Sequence, residues 1–159
     1  MSKISVLMSV YKKENPEYLR ASLESILVQT RTADEILLIE DGPLTQELYQ
    51  VVAEYQKKCD YLHVHAMEQN VQLGRALAKG VELCQYDLIA RMDTDDIAMP
   101  HRLEKEGAYM EAHPEVDVVG GAIREFNDEG TIDRVKNMPK TQEEILEYVK
   151  VRNPLNHMT

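Results

Sequence analysis

Four short apolar runs, each trailed by a segment whose apolar residues recur at helical spacing, constrain this chain more than any other feature. Ile4 to Val10 is β-branched and uninterrupted, the pattern of a buried strand. Asn15-Pro16 then places an N-cap before a proline at the first helical position, and Leu19, Leu23, Ile26 and Leu27 follow on one helical face. Glu35 to Ile39 reads as a second buried strand, broken by Asp41-Gly42-Pro43, and Thr45 caps a helix with Leu48, Val52 and Tyr55 on one side. Leu62 to Ala66 is a third strand. Asn70 precedes and caps a helix carrying Leu73, Leu77, Val81 and Cys84, and Asp87 to Arg91 is a fourth short strand.

Beyond these, Pro100 opens a helix to about His113, and Glu115 to Val119 predicts a further strand before Gly120-Gly121. Ile123–Phe126 and Thr131–Val135 predict a hairpin around Asp128-Glu129-Gly130, and Thr141 with Glu144 has capping-box spacing for a last helix. Parallel strands need helical crossovers, so this alternation predicts an α/β fold: a mostly parallel sheet flanked by helices. A length of 159 residues fits one such domain. Ligands of these sheets bind beyond the carboxyl ends of the strands, which makes the residues just after each strand the candidates.

Charge narrows the ligand. With 18 Lys and Arg against 28 Asp and Glu, the net charge is -10, which opposes a broad grip on nucleic acid. An acidic chain can still hold a phosphorylated ligand through a divalent cation. Cys59 and Cys84 form no CxxC, and no two His residues have ligand spacing, so neither a disulfide framework nor a zinc site is expected. No apolar run approaches the roughly 20 residues of a membrane span, and a cytoplasmic protein is expected.

Three strand ends are polar: Ser9-Val10-Tyr11, Glu40-Asp41-Gly42 and Asp93-Thr94-Asp95-Asp96. In extended backbone Asp93 and Asp95 point the same way and can share one hard cation, while Asp96 faces elsewhere. Taken alone, such an acid run is more often a solvated loop. Following the buried Leu88-Ile89-Ala90, at the same sheet edge as Asp41, it becomes a candidate cation site. Arg91 beside it is expected to lower carboxylate pKa values. Tyr11 reads equally as a base-stacking ring or a core-edge aromatic, Glu14 as a loop acid, and Arg75 as a phosphate contact or an exposed helical residue.

The stretches Ile4-Ser5-Val6-Leu7-Met8-Ser9-Val10-Tyr11, Ile39-Glu40-Asp41-Gly42 and Ala90-Arg91-Met92-Asp93-Thr94-Asp95-Asp96-Ile97-Ala98-Met99-Pro100-His101-Arg102-Leu103 resemble family 2 glycosyltransferases. The likeness is nearest to the branch that builds bacterial exopolysaccharides and capsules, and it runs in order over nearly the whole chain. It implies a GT-A fold, a nucleoside-diphosphate-sugar donor, usually UDP-linked, and Mn²⁺ or Mg²⁺. By motif position Ser9 and Tyr11 lie beside base and ribose, Asp41 accepts a hydrogen bond from the pyrimidine, Asp93 lies near ribose and metal, and Asp95 binds the metal directly. Glu14, Asn70 and Arg75 complete the candidate donor site. The resemblance further implies an inverting transfer to a growing polysaccharide or lipid-linked acceptor, with peripheral membrane association of the full-length enzyme.

Two departures stand out. Family members often carry Asn-x-Gly-Leu where this chain has Asn70-Val71-Gln72-Leu73. Their general base lies well downstream of the metal motif, whereas no acidic residue follows Glu147 here. The chain is therefore expected to be an N-terminal donor-binding part that stops before the acceptor region, with its catalytic base beyond Thr159 and His157 facing the site in the intact enzyme. A nucleotidyltransferase fits less well, because Tyr11-Lys12-Lys13-Glu14-Asn15 has no glycine to cradle a triphosphate. A receiver-type Mg²⁺-binding signalling module fits less well again, since Ser9 and Gly120-Gly121 stand where such a pocket expects acids and a lysine.

Overall fold

Strand β1 (Ile4–Val10) is buried along all but Ser9, and the other elements are laid out on either side of it. The computed structural model describes residues 2–127 and 132–159. β2 (Glu35–Glu40) pairs with β1 in parallel from Ser5↔Glu35 to Val10↔Glu40, β3 (Leu62–Ala66) pairs with β2, and β4 (Leu88–Met92) pairs with the other side of β1. The order is β3-β2-β1-β4. The chain steps outward twice and then returns across β1, so the topology reverses between β1 and β4.

The crossovers are helices for the reasons the sequence gives. Asn15 accepts from the Glu17 N–H at 2.9 Å and Pro16 fills the first position of α1 (Pro16–Leu27). Thr45 caps α2 (Gln46–Lys58) in the same manner. Leu19, Leu23 and Ile26 of α1 and Leu48, Val51, Val52 and Tyr55 of α2 pack on Val6, Met8, Ile36 and Leu38, forming the larger core. α3 (Leu73–Leu83) covers the opposite face, against Leu7, Leu37 and Ile39.

α3 is rotated from the sequence expectation. Ala76 and Gly80 are its buried residues, Leu77 and Cys84 pack beside them, and Leu73 and Val81 face outward. The cause is close approach: a Cβ on Gly80 would lie 2.3 Å from Leu7 Cδ1, so the small residues turn inward and let the helix sit low on the sheet. α4 (Arg102–Ala112) begins two residues after Pro100, and Leu103 joins the larger core. Its first turn has no side-chain cap of its own; instead Gln29 Oε1 accepts from the Leu103 N–H at 3.1 Å while Gln29 Nε2 donates to the carbonyls of Ser25 and Met99.

The expected strand at Glu115–Val119 does not form; that segment has no regular structure and Val118 is 65% exposed. A strand needs a partner for its backbone groups, and no strand pairs with it among the described residues. It flanks, with β4 and α4, a cavity of about 190 Å³ lined by Ala90, Arg91, Arg102, Leu103, Val118 and Val119. β5 (Ile123–Phe126) and β6 (Asp133–Lys136) form the expected antiparallel pair, the second strand running to Lys136 where Val135 was expected, while the turn residues 128–130 and Thr131 lie outside the described residues. Thr141 and Glu144 make a reciprocal capping box on α5 (Gln142–Tyr148). No helix among the described residues is long and apolar enough to cross a membrane.

Candidate functional site

The parallel register ends β1, β2, β3 and β4 along one edge, and the candidate residues follow at once: Ser9 and Tyr11 beyond β1, Asp41 beyond β2, Asn70 beyond β3 and the acids beyond β4. Ser9 is half-buried and Tyr11 43% exposed, the ring free to meet a ligand. β1 and β4 border the reversal point, so Ser9 and Tyr11 lie at the same end of the sheet crevice as Asp93–Asp96.

The acid loop is fixed from below. Ser22, a small polar residue within the apolar stripe of α1, donates its hydroxyl to the Asp93 carbonyl at 2.8 Å. Thr94 is buried, with its hydroxyl 2.7 Å from Glu14 Oε2 and 3.3 Å from the Ser9 carbonyl. Glu14 is thereby tied in rather than free in solvent, and its other oxygen accepts from the Asn15 N–H at 2.8 Å. Ser22 and Thr94 are not among the sequence candidates; the signal each carries is a hydroxyl where the surrounding pattern calls for an apolar group or an acid.

Thr94 and Asp95 form a turn, so the backbone is not extended and Asp96 is brought back to the others. Ligand oxygens of Asp93, Asp95 and Asp96 lie within 4.8 Å of one another, a set of hard donors suited to Mg²⁺ or Mn²⁺. This corrects the expectation that Asp96 faces elsewhere. Burial, then Asp95 and Asp93, push the Asp96 carboxyl up to about 6, outweighing the downward pull of Arg91 and Arg102. The Arg91 charge does act downward, as expected, but at Asp96 desolvation outweighs it. The Arg91 guanidinium is in ion-pair contact with Asp93 Oδ1, and His157 Nδ1 lies 3.4 Å from Asp93 Oδ2, so His157 does reach the site.

Asn70 does not cap α3. Gln72 occupies that position with no side-chain bond, and Asn70 Nδ2 instead donates to Asp41 Oδ2 at 2.9 Å. Asp41, only 4% exposed, also accepts from the Val71 N–H at 2.6 Å. Arg75 is exposed in the first turn of α3.

Residues 5–158 match the profile of glycosyl transferase family 2. The chain belongs to that family. It is 47% identical over 99% of its length to an uncharacterized glycosyltransferase of Haemophilus influenzae, and 44% identical over 97% to the amylovoran biosynthesis glycosyltransferase AmsE of Erwinia amylovora. It is 35% identical over 98% to a UDP-Gal:alpha-D-GlcNAc-diphosphoundecaprenol beta-1,3-galactosyltransferase of Escherichia coli. It spans 59%, 57% and 56% of those proteins. S. aureus TarS residues 1–349 in complex with UDP superposes with a TM-score of 0.62 at 23% identity, covering 70% of this chain and 33% of that one. The fold of this family 2 chain is thus the GT-A type, as its parallel sheet and flanking helices indicate.

Proposed function

We propose that the chain is the donor-binding part of a metal-dependent, inverting glycosyltransferase that uses a UDP-sugar and extends a polysaccharide or a lipid-linked saccharide. The observation that carries this reading is the convergence of Ser9, Tyr11, Asp41 and the three-acid cluster on one edge of the sheet at its reversal point. The names of the relatives point the same way, one to amylovoran biosynthesis and one to galactosyl transfer from UDP-Gal onto a diphosphoundecaprenol-linked sugar. Their greater length supports placing acceptor recognition and the general base outside these residues.

In this reading Ser9 and Tyr11 line the base and ribose, Asp41 and Asn70 bound the pyrimidine side, Glu14 holds the acid loop through Thr94, and Arg75 faces the phosphates. Asp93 and Asp95 hold the cation, and Arg91 offsets part of their repulsion. A bound Mn²⁺ or Mg²⁺ would neutralise the diphosphate and favour its departure. Because the Asp96 carboxyl is pushed up to about 6, occupation of the cluster by a cation is expected to release a proton at or below about pH 6 and little at neutrality.

The test is calorimetric titration with UDP in Mn²⁺ and in chelator. UDP should bind far more tightly with Mn²⁺, and Asp95→Asn should remove most of the difference. Equal affinity in chelator and in Mn²⁺ would sink the metal-dependent reading.

A further inference from the structure

Arg91 and Arg102 line the same cavity beside the acid loop, yet they are held in different ways. Every nitrogen of the Arg102 guanidinium is engaged: Nε donates to Glu106 Oε2 at 3.1 Å, Nη1 meets Met92 Sδ at 3.2 Å, and Nη2 donates to the Arg91 carbonyl at 2.8 Å. Those of Arg91 are not. Its Nε, Nη1 and Nη2 are buried and donate no hydrogen bond among the described residues, although Nη2 is in ion-pair contact with Asp93 Oδ1. Buried donors without acceptors are costly, and a guanidinium carries a whole fork of them. Charge alone keeps this one at Asp93, without the bidentate geometry that ordinarily locks Arg to a carboxylate.

The contact lies where a cation would bind. A divalent ion on Asp93 would stand within a few ångströms of the Arg91 guanidinium, and the two like charges would repel each other with little water between them. The cavity offers an alternative. Asp117 lines it, and its carboxylate has no hydrogen bond or ion pair among the described residues, whereas Glu106, the other acid of the lining, is already taken by Arg102. The space of about 190 Å³ is several times the roughly 30 Å³ share of one water, so a planar guanidinium can turn within it. Donors without acceptors and an acceptor without donors thus border one space.

Resting on the cation-binding reading above, we propose that Arg91 is a positioning residue with two stations. In the free chain its guanidinium stays at Asp93 and offsets the repulsion among the acids. On occupation of the cluster by a divalent cation it turns into the cavity and pairs with Asp117. Asp117 therefore contributes to cation affinity without touching the ion, by receiving the charge that has to leave.

The experiment is Mg²⁺ titration, followed by NMR of the arginine Nε–H groups and by calorimetry, on the parent, Arg91→Gln, Asp117→Asn and the double variant. In the parent the Arg91 signal should shift in step with saturation while that of Arg102, bonded to Glu106, stays in place. At equal saturation the Arg91 shift should be largely lost in Asp117→Asn. Arg91→Gln should tighten Mg²⁺ binding by about tenfold and Asp117→Asn should weaken it by about fivefold, within the roughly 5- to 150-fold range usual for coupling between sites. In the Arg91→Gln background Asp117→Asn should change nothing, because no guanidinium remains to be received; a plain field effect of Asp117 would persist there and add. The proposal is overturned if Mg²⁺ saturates the parent with the Arg91 signal unmoved, if the shift is as large in Asp117→Asn, or if Asp117→Asn has the same effect in both backgrounds. The titration of the parent stands whether or not a variant folds. A parent chain with no calorimetric response to Mg²⁺ would defeat the cation-binding reading and the proposal with it, a result distinct from Mg²⁺ binding beside a stationary Arg91.

Discussion

At the end of β2 two adjacent carboxyls have opposite surroundings. Asp41 is met by an amide N–H and an Asn side chain, whereas Glu40, by the alternation of the strand, shares the face of Ile36 and Leu38 and is 6% exposed. Burial raises the Glu40 pKa above its ordinary 4.5. An acid whose folded pKa exceeds its unfolded one binds its proton more readily when folded. It therefore costs nothing below the unfolded pKa and destabilises increasingly as pH rises from there through the folded value. Glu40→Gln should accordingly raise Tm at pH 8 and leave it unchanged at pH 4. Thermal melts at both pH values check this, and an equal gain at both would assign the effect to packing instead of ionisation. None of this contrast was legible in the sequence, where Glu40 and Asp41 are two acids in a row. The partner of Asp41 is 29 residues away, and which of two neighbours turns inward depends on where the strand ends.

Among the elements, those whose apolar periodicity is internal were readable. β1, with its β-branched run, and α1, with Asn15-Pro16 before its apolar face, carry their own signals, and both match their expected limits closely. The Glu115–Val119 segment has an equally good strand composition, but pairing belongs to the neighbour as much as to the segment, and no neighbour is in place among the described residues. Asn70 misled for a similar reason: an Asn before a helix is ordinarily a cap, yet here Asp41 competes for it and Gln72 starts α3 with positive φ. Gln stands where relatives in the family often have glycine. Gln72→Gly should therefore stabilise the chain by about 1 kcal/mol, the relief of strained backbone less the greater unfolded-state freedom of glycine. For a domain of this size that is a rise in Tm of roughly 2–4 °C, measurable by calorimetry. A fall in Tm would show that the turn gains more from the Gln72 side chain than it loses to its backbone.

On the scale of the whole molecule, the sheet has two edge strands, β3 and β4. At the β4 edge the residues Leu88 to Arg91 are only half-buried, next to the exposed Val118 and the cavity it lines. One edge group, the Arg91 carbonyl, is satisfied by Arg102 at 2.8 Å. An edge strand bordered by apolar surface is a template for a second copy of the chain. Against this stands the net charge of -10, which repels like chains over a distance set by salt. The two terms have opposite dependence on ionic strength, because screening weakens the repulsion and leaves apolar burial intact. Sedimentation velocity over a concentration series should then show self-association that strengthens as salt is raised from about 0.01 M toward 0.15 M, where the screening length falls from about 30 Å to 8 Å. Val118→Lys, which places a charge on the bordering surface, should keep the chain monomeric at an unchanged Tm. Association that weakens with salt would point to paired charges as its source, and a parent chain that stays monomeric throughout would show that the β4 edge is already protected by the segment lying against it.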